Sequence, residues 1–208
     1  MANKKQVALI KKGCEEWNAR IWGSGKSPDI DLSRTDLIEF EFYGYNLTGA
    51  NMRGANLHGS NFMGSVLERA DLRGAYLQGC YFSHGDLRDS NFRNANLSGA
   101  NLECANLGLA NLKDASLKEV FINSWSAFVF SSTLEDDLKL KGKGANFEGA
   151  DLGRADFFFS DLRNANFENA RFVEANFNNA NLRGADLSNA DVSDIKIYRM
   201  CDHGSPSI

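Results

Sequence analysis

Cysteine is scarce in this chain of 208 residues. The four, Cys14, Cys80, Cys104 and Cys201, are scattered with no CxxC pair. That excludes a disulfide framework and a paired zinc site, and leaves free thiols as the expectation. Histidine is rarer still, and of His58, His84 and His203 only the last has a cysteine nearby, Cys201, which is too little for a metal centre. No Ser/His/Asp constellation can be assembled, so neither catalysis nor a cofactor is expected. Long apolar runs are missing too. None approaches the roughly 20 residues that cross a bilayer, and the N-terminal stretch lacks the unbroken apolar core of a signal peptide, so a cytoplasmic protein is expected. Charge of one sign does not dominate: 23 Lys and Arg face 27 Asp and Glu. The total therefore implies neither direct nucleic-acid binding nor an anionic membrane.

What the chain has in abundance is a period of five. From Leu32 to Ile122 every fifth residue is bulky and apolar, as in Leu47, Met52, Leu57, Phe62, Leu67 and Leu72, and the frame resumes from Phe147 to Val192. Two residues before each centre sits a small one, usually Ala, with Asn or Asp between them and Gly or Asn often closing the unit. Five fits neither a 3.6-residue helix nor a long strand. It fits a short extended side followed by a corner. In such a side the small residue and the centre point inward while the residue between them points out. Gly and Asn supply the corner angles. Four sides of one unit each close a coil, and stacked coils pair backbone to backbone. The two Asn-x-Ser/Thr triplets, at Asn46 and Asn96, are by-products of the repeat.

Units such as ANLSG, ANLEC, ADLGR and ADLSN resemble the pentapeptide-repeat family, over about three quarters of the chain. The resemblance implies an all-β, right-handed quadrilateral β-helix. Periodicity alone does not fix the handedness. Centres four units apart then stack, so Leu32, Met52, Leu72, Phe92 and Leu112 share one side, while Phe42, Phe62, Phe82 and Leu102 share another.

Five segments follow: a helical cap and linker over 1–29, solenoid over 30–122, an inserted loop over 123–144, solenoid over 145–197, and a tail over 198–208. Phe147 falls in frame if the length of four units is looped out, so one continuous rod of about seven and a half coils is expected. The ends of a solenoid expose unpaired edges and must be covered. Val7, Ile10, Cys14, Trp17 and Ile21 recur at three- and four-residue steps, predicting one amphipathic helix from Lys4 to Trp22 as a cap on the first coil. No comparable helix follows Ile197, which makes the C-terminal end the place for a homodimer contact.

Two chemical signals fail on inspection. The run Gly23-Ser24-Gly25-Lys26-Ser27 suggests a phosphate loop, but Arg20 stands where the first Gly is needed and Pro28 follows instead of a helix. Asp71, Asp86, Asp151, Asp161 and Asp186 all occupy the outward position before a centre, where Asn substitutes freely. They read as turn formers, because catalytic carboxylates need a cleft and a filled rod offers none.

The surface offers two features. Arg53, Arg73, Arg93 and Lys113 each follow a centre on one side and form a basic column, either solvated charge against edge pairing or a stripe for an anionic partner. Phe158 and Phe159 take outward positions, and the insert carries Trp125, Phe128 and Phe130. Either the insert covers the Phe pair or both contact a partner.

These features point to a non-enzymatic protein-interaction scaffold with a protein partner of unstated identity. The family resemblance adds an alternative, a DNA-mimic inhibitor or protector of a type II topoisomerase such as DNA gyrase. In its favour, segments 30–122 and 145–197 hold 13 Lys and Arg against 20 Asp and Glu.

Overall fold

Each five-residue unit folds alike for local reasons, as Ala50 to Gly54 illustrates. Ala50 and Met52 are buried and Arg53 is exposed. The Asn51 Oδ1 accepts the Arg53 N–H (3.3 Å), the side-chain turn that explains why Asn or Asp precedes nearly every centre. The Ala55 N–H then donates to the Met52 carbonyl (3.1 Å), closing a turn around Gly54. From Arg34 to Asp194 the closing residue of every described unit has φ between 52° and 74°, the region where Gly is free of strain and Asn is tolerated.

The computed structural model describes residues 3–22, 29–121, 140–158 and 160–195. In it the units wind into a four-sided coil. Parallel bridges join each residue to its counterpart one coil on, in four rows: Asp31, Asn51 and Asp71; Asp36, Asn56 and Tyr76; Glu41, Asn61 and Tyr81; and Asn46, Val66 and Asp86. These rows define the first to fourth sides. The expected all-β character takes a reduced form, because each side is too short for more than one bridged residue between two turns. The described residues accordingly hold isolated bridges and two helices.

Bulky centres from Leu32 to Phe177 fill the interior, with Ala beside them. Ser or Cys in place of Ala typically donates its side-chain hydrogen to a carbonyl: Ser60 Oγ to Leu37 O (2.7 Å), Ser65 Oγ to Phe62 O (2.7 Å) and Cys80 Sγ to Leu57 O (2.9 Å). These polar atoms enter the core with their donors satisfied, whereas the buried Ser160 Oγ finds no partner.

The coil is continuous across the insert, in a register one unit earlier than the sequence reading. Asn101 pairs with Phe121, but Asn106 pairs with Lys141 where the regular step would reach position 126, so the pairing skips the length of three units. The centre that resumes the frame is Gly142, with Leu140 buried in the small position before it. A Cβ on Gly142 would lie 2.8 Å from Leu162 Cδ2. Leu140 and Leu162 therefore occupy the space that a bulky centre normally fills.

At the N-terminus the single expected helix is two, α1 (Lys4–Ile10) and α2 (Cys14–Trp22), separated at Gly13, whose φ of 112° no helix accommodates. The Asn3 side chain accepts the Lys5 and Gln6 N–H groups and so starts α1. Ile10 and Trp17 are fully buried with the core. Side-chain amides replace a missing coil below the first one. Gln6 accepts from Asp31 N (2.9 Å) and donates to Asp29 O (2.6 Å). Asn18 accepts from Asn46 N (2.9 Å) and donates to Gly44 O (3.2 Å), while Trp17 Nε1 donates to Asn46 O (3.0 Å).

Candidate interaction surfaces

On each side the residues before and after the centre both point outward, two apart, so they meet. This yields a motif that the sequence reading overlooked: Asp-Leu-Arg. Arg73 grips Asp71 through two parallel bonds (Nε–Oδ1 2.8 Å, Nη2–Oδ2 2.5 Å), and Arg88 with Asp86 and Arg163 with Asp161 repeat the geometry. The Arg88 and Arg163 hydrogen bonds hold Asp86 and Asp161 below the usual carboxylate range, outweighing partial burial. At Asp71 burial pushes upward most strongly, yet the Arg73 bonds and charge together leave the carboxyl lowered. The arginine side chains remain 40–49% exposed, so each pair contributes at most about 1 kcal/mol.

Arg53, Arg73, Arg93 and Lys113 do stack along the first side, each two residues after a bridged residue of one row. The column is partly compensated. Besides its grip on Arg73, Asp71 lies 3.9 Å from Arg53 Nε, and Lys113 Nζ donates to Glu148 Oε1 (2.6 Å). Above Lys113 the column turns acidic, through Glu148 and Glu168. Like-charge repulsion is relieved at Arg53 and Arg73 by Asp71, in the position before the centre, and at Lys113 by Glu148 of its own column, while the buried Arg93 Nε has no hydrogen-bond partner among the described residues.

Phe158 is half-buried, and its N–H donates to Asp156 Oδ1 (3.1 Å). Phe159 and the insert aromatics Trp125, Phe128 and Phe130 lie outside the described residues, as do the 23–27 run and Cys201 with His203. A second apolar surface was not anticipated. Tyr43, Met63, Tyr81 and Phe121 are exposed along the third side, with Tyr76 on the second. These replace the usual Asn or a small polar residue, and reading the outward positions by row finds them.

A shallow hollow forms where Gly153 lacks the side chain expected between Lys118 and Val173. Its cations are all paired: Lys118 and Arg171 with Asp151 (3.1 and 3.4 Å), and Arg154 with Glu174 and Glu119 (2.8 and 3.6 Å). Among the described residues no group of three or more His, Cys, Asp or Glu could hold a metal ion, and no helix is long and apolar enough to cross a membrane. Burial drives the Cys80 thiol up to about 12, far from a reactive thiolate.

Residues 30–69, 59–94, 90–122, 143–172 and 160–196 match the profile of pentapeptide repeats, in eight copies. No curated protein matches the chain. Among solved structures it aligns with HetL, a pentapeptide repeat protein involved in heterocyst differentiation regulation in the cyanobacterium Nostoc sp. strain PCC 7120. There identity is 28% over 85% of this chain and 93% of that one, with a TM-score of 0.46. A thylakoid-lumen pentapeptide repeat protein of Arabidopsis thaliana aligns at 28% identity over 53% of this chain and 74% of that one, with a TM-score of 0.34. Full-length QnrB1, a plasmid-mediated fluoroquinolone resistance protein, aligns at 17% identity over 81% and 93%, with a TM-score of 0.35.

Proposed function

The chain belongs to the pentapeptide-repeat family, and from that premise we propose that it is a non-enzymatic scaffold that binds a protein partner through its flat sides and its insert. The observation that carries this reading is the filled interior. Centres from Leu32 to Phe177 are buried against one another, so the groups available to a ligand lie on outer faces that repeat every coil. On family grounds we take the coil as right-handed; the burial of Ile10 and Trp17 with the core supports α1 and α2 as the cap of its first turn, and the cytoplasm, the expectation from the sequence, is the proposed site of action.

Two elements supply specificity in this proposal. One is the basic column of Arg53, Arg73, Arg93 and Lys113, which the acidic continuation at Glu148 and Glu168 makes bipolar. The other is the insert, whose Trp125, Phe128 and Phe130 precede a charged stretch from Glu135 to Lys143, together with Phe158 and Phe159. Irregular features on a regular scaffold are where binding determinants concentrate. Self-association is assigned to the C-terminal end, where the centres Leu187 and Val192 are 40% and 49% exposed.

Reversing charge at Arg73→Glu and Arg93→Glu tests the column: binding to a captured partner falls at least about tenfold. Unchanged binding removes the column from the site. The acidic balance of the solenoid segments favours a second reading, a DNA-mimic inhibitor or protector of gyrase. QnrB1 is a fluoroquinolone resistance protein, which gives this reading its assay. Strong inhibition of gyrase supercoiling by the purified protein, or protection from a quinolone, replaces the scaffold reading with this one.

A further inference from the structure

The two N-terminal helices cover only half of the first coil's edge. On the first and fourth sides, Asp31 and Asn46 have both backbone groups paired, through Asn3, Gln6, Trp17 and Asn18. On the second and third sides nothing equivalent is present among the described residues. One coil up, Asn56 shows what an edge residue there requires: its N–H donates to Thr35 O (2.8 Å), its carbonyl accepts from Leu37 N (2.8 Å), and the His58 carbonyl accepts from Glu39 N (2.8 Å). Asn61 and Met63 repeat this on the third side, through Phe40 O, Phe42 N and Gly44 N. In the first coil the corresponding groups are the N–H and C=O of Asp36, the C=O of Ile38, the N–H and C=O of Glu41, and the C=O of Tyr43. No described residue meets them.

The outward side chains on this open edge form a pattern. Asp36 and Glu41 stand exposed at the two bridging positions, and Glu41 Oε2 is steadied by Asn61 Nδ2 (2.8 Å). Ile38 and Tyr43 follow the two centres and are 47% and 58% exposed. The corner residues Arg34 and Glu39 lean over Gly54 and Gly59 of the second coil, away from the edge. The edge therefore presents acid, then apolar, twice, at five-residue spacing.

We propose that this half-edge is a docking site for an extended basic segment of a partner protein, which adds one more layer to the second and third sides. Orphan backbone groups on an edge are a template for an added strand, and side chains of an in-register parallel layer stack directly over one another. A segment with Lys or Arg over Asp36 and Glu41, and apolar residues over Ile38 and Tyr43, satisfies the backbone, the charge and the exposed apolar surface together. The acidic guard disfavours a second copy, since this chain carries a net charge of −4 and would bring like charge to the edge. The site lies on the end of the rod and stands independently of whether the flat sides or the insert bind anything.

The probe is an acetylated, amidated, fluorescently labelled decapeptide consisting of Gly-Lys-Ala-Val-Gly twice, titrated with the full chain by anisotropy. Saturable binding is expected. It weakens at least about tenfold when the two alanines are N-methylated, which removes the N–H groups aimed at the Asp36 and Glu41 carbonyls. It weakens comparably in the double variant Asp36→Lys, Glu41→Lys, whose fold is checked by an unchanged melting temperature, and it is unaffected by Arg73→Glu. Three results overturn the proposal: no saturable binding, equal binding of the N-methylated peptide, which reduces the effect to ion pairing, or a dimer of this chain abolished by the same double variant.

Discussion

The ring of Phe42 lies flat on the ring of Phe62, one full coil further along the chain, with centroids 4.4 Å apart and planes 5° apart. Phe82 continues the stack at 4.9 Å and 11°. Truncating the middle ring removes contacts on both sides and leaves a cavity that the fixed coil spacing cannot close. Phe62→Ala is therefore expected to cost about 3–5 kcal/mol in chemical denaturation. A loss below about 1 kcal/mol would contradict the stacked column.

The unit that resumes the coil after the insert has its sizes exchanged, Leu140 in the small position and Gly142 at the centre. Gly142→Leu overpacks against Leu162 and should destabilise by about 1–3 kcal/mol. Adding Leu140→Ala restores the usual order and should recover at least half of that loss. Additive losses in the double variant would show that the two residues do not share one space.

That exchange also shows where the sequence stopped being legible. The five-residue frame and the coil-on-coil stacking were readable because apolar centres recur without exception from Leu32 to Ile122. A glycine at a centre is silent in a hydrophobic pattern, so Phe147 looked like the first unit and the looped-out length came out one unit too long. The pairing of Asp86 with Arg88 was legible in principle, since two outward positions two apart must meet, but column-by-column reading separated the partners. The break at Gly13 was hidden because the apolar spacing continues across it. The half-covered first edge could not be read at all, because it depends on which backbone groups Gln6 and Asn18 reach.

Asp86 has two roles that substitution separates. Its Oδ1 accepts the Arg88 N–H (3.3 Å) and its carboxylate binds the guanidinium. Asp86→Asn keeps the turn acceptor and should cost less than about 1 kcal/mol at pH 7, whereas Asp86→Ala loses both and should cost about 1 kcal/mol more. The pH dependence follows from the lowered carboxyl: its contribution is present above the ordinary value of about 3.9 and disappears as pH falls through the depressed folded value. Asp86→Asn should therefore lower the melting temperature slightly across the neutral range, where the carboxylate's contribution is present, and flatten its further loss below about pH 4. Equal effects of Asn and Ala at pH 7 would remove the turn role.

Cys80 is fully buried, donates to Leu57 O and has its thiol raised to about 12. Alkylation at pH 8 followed by peptide mapping should label the half-buried Cys14 well before Cys80, with Cys80 reacting only in denaturant. Early labelling of Cys80 would place the small position before this centre at the surface.

The scaffold reading is tested most directly with the insert removed in the observed register. Deleting residues 125–139 takes out the length of three units, the stretch by which the pairing skips, and brings Leu140 into frame behind Ile122. Wild type and deletion are each confirmed as folded by melting, used for capture from the native cell, and titrated calorimetrically against any purified protein recovered. The expected result is a deletion protein with an intact cooperative transition, a stoichiometric partner for the wild type, and at least about tenfold weaker binding of that partner by the deletion. A deletion that unfolds would contradict the continuous coil, and the absence of any stoichiometric protein partner for the wild type would contradict the scaffold.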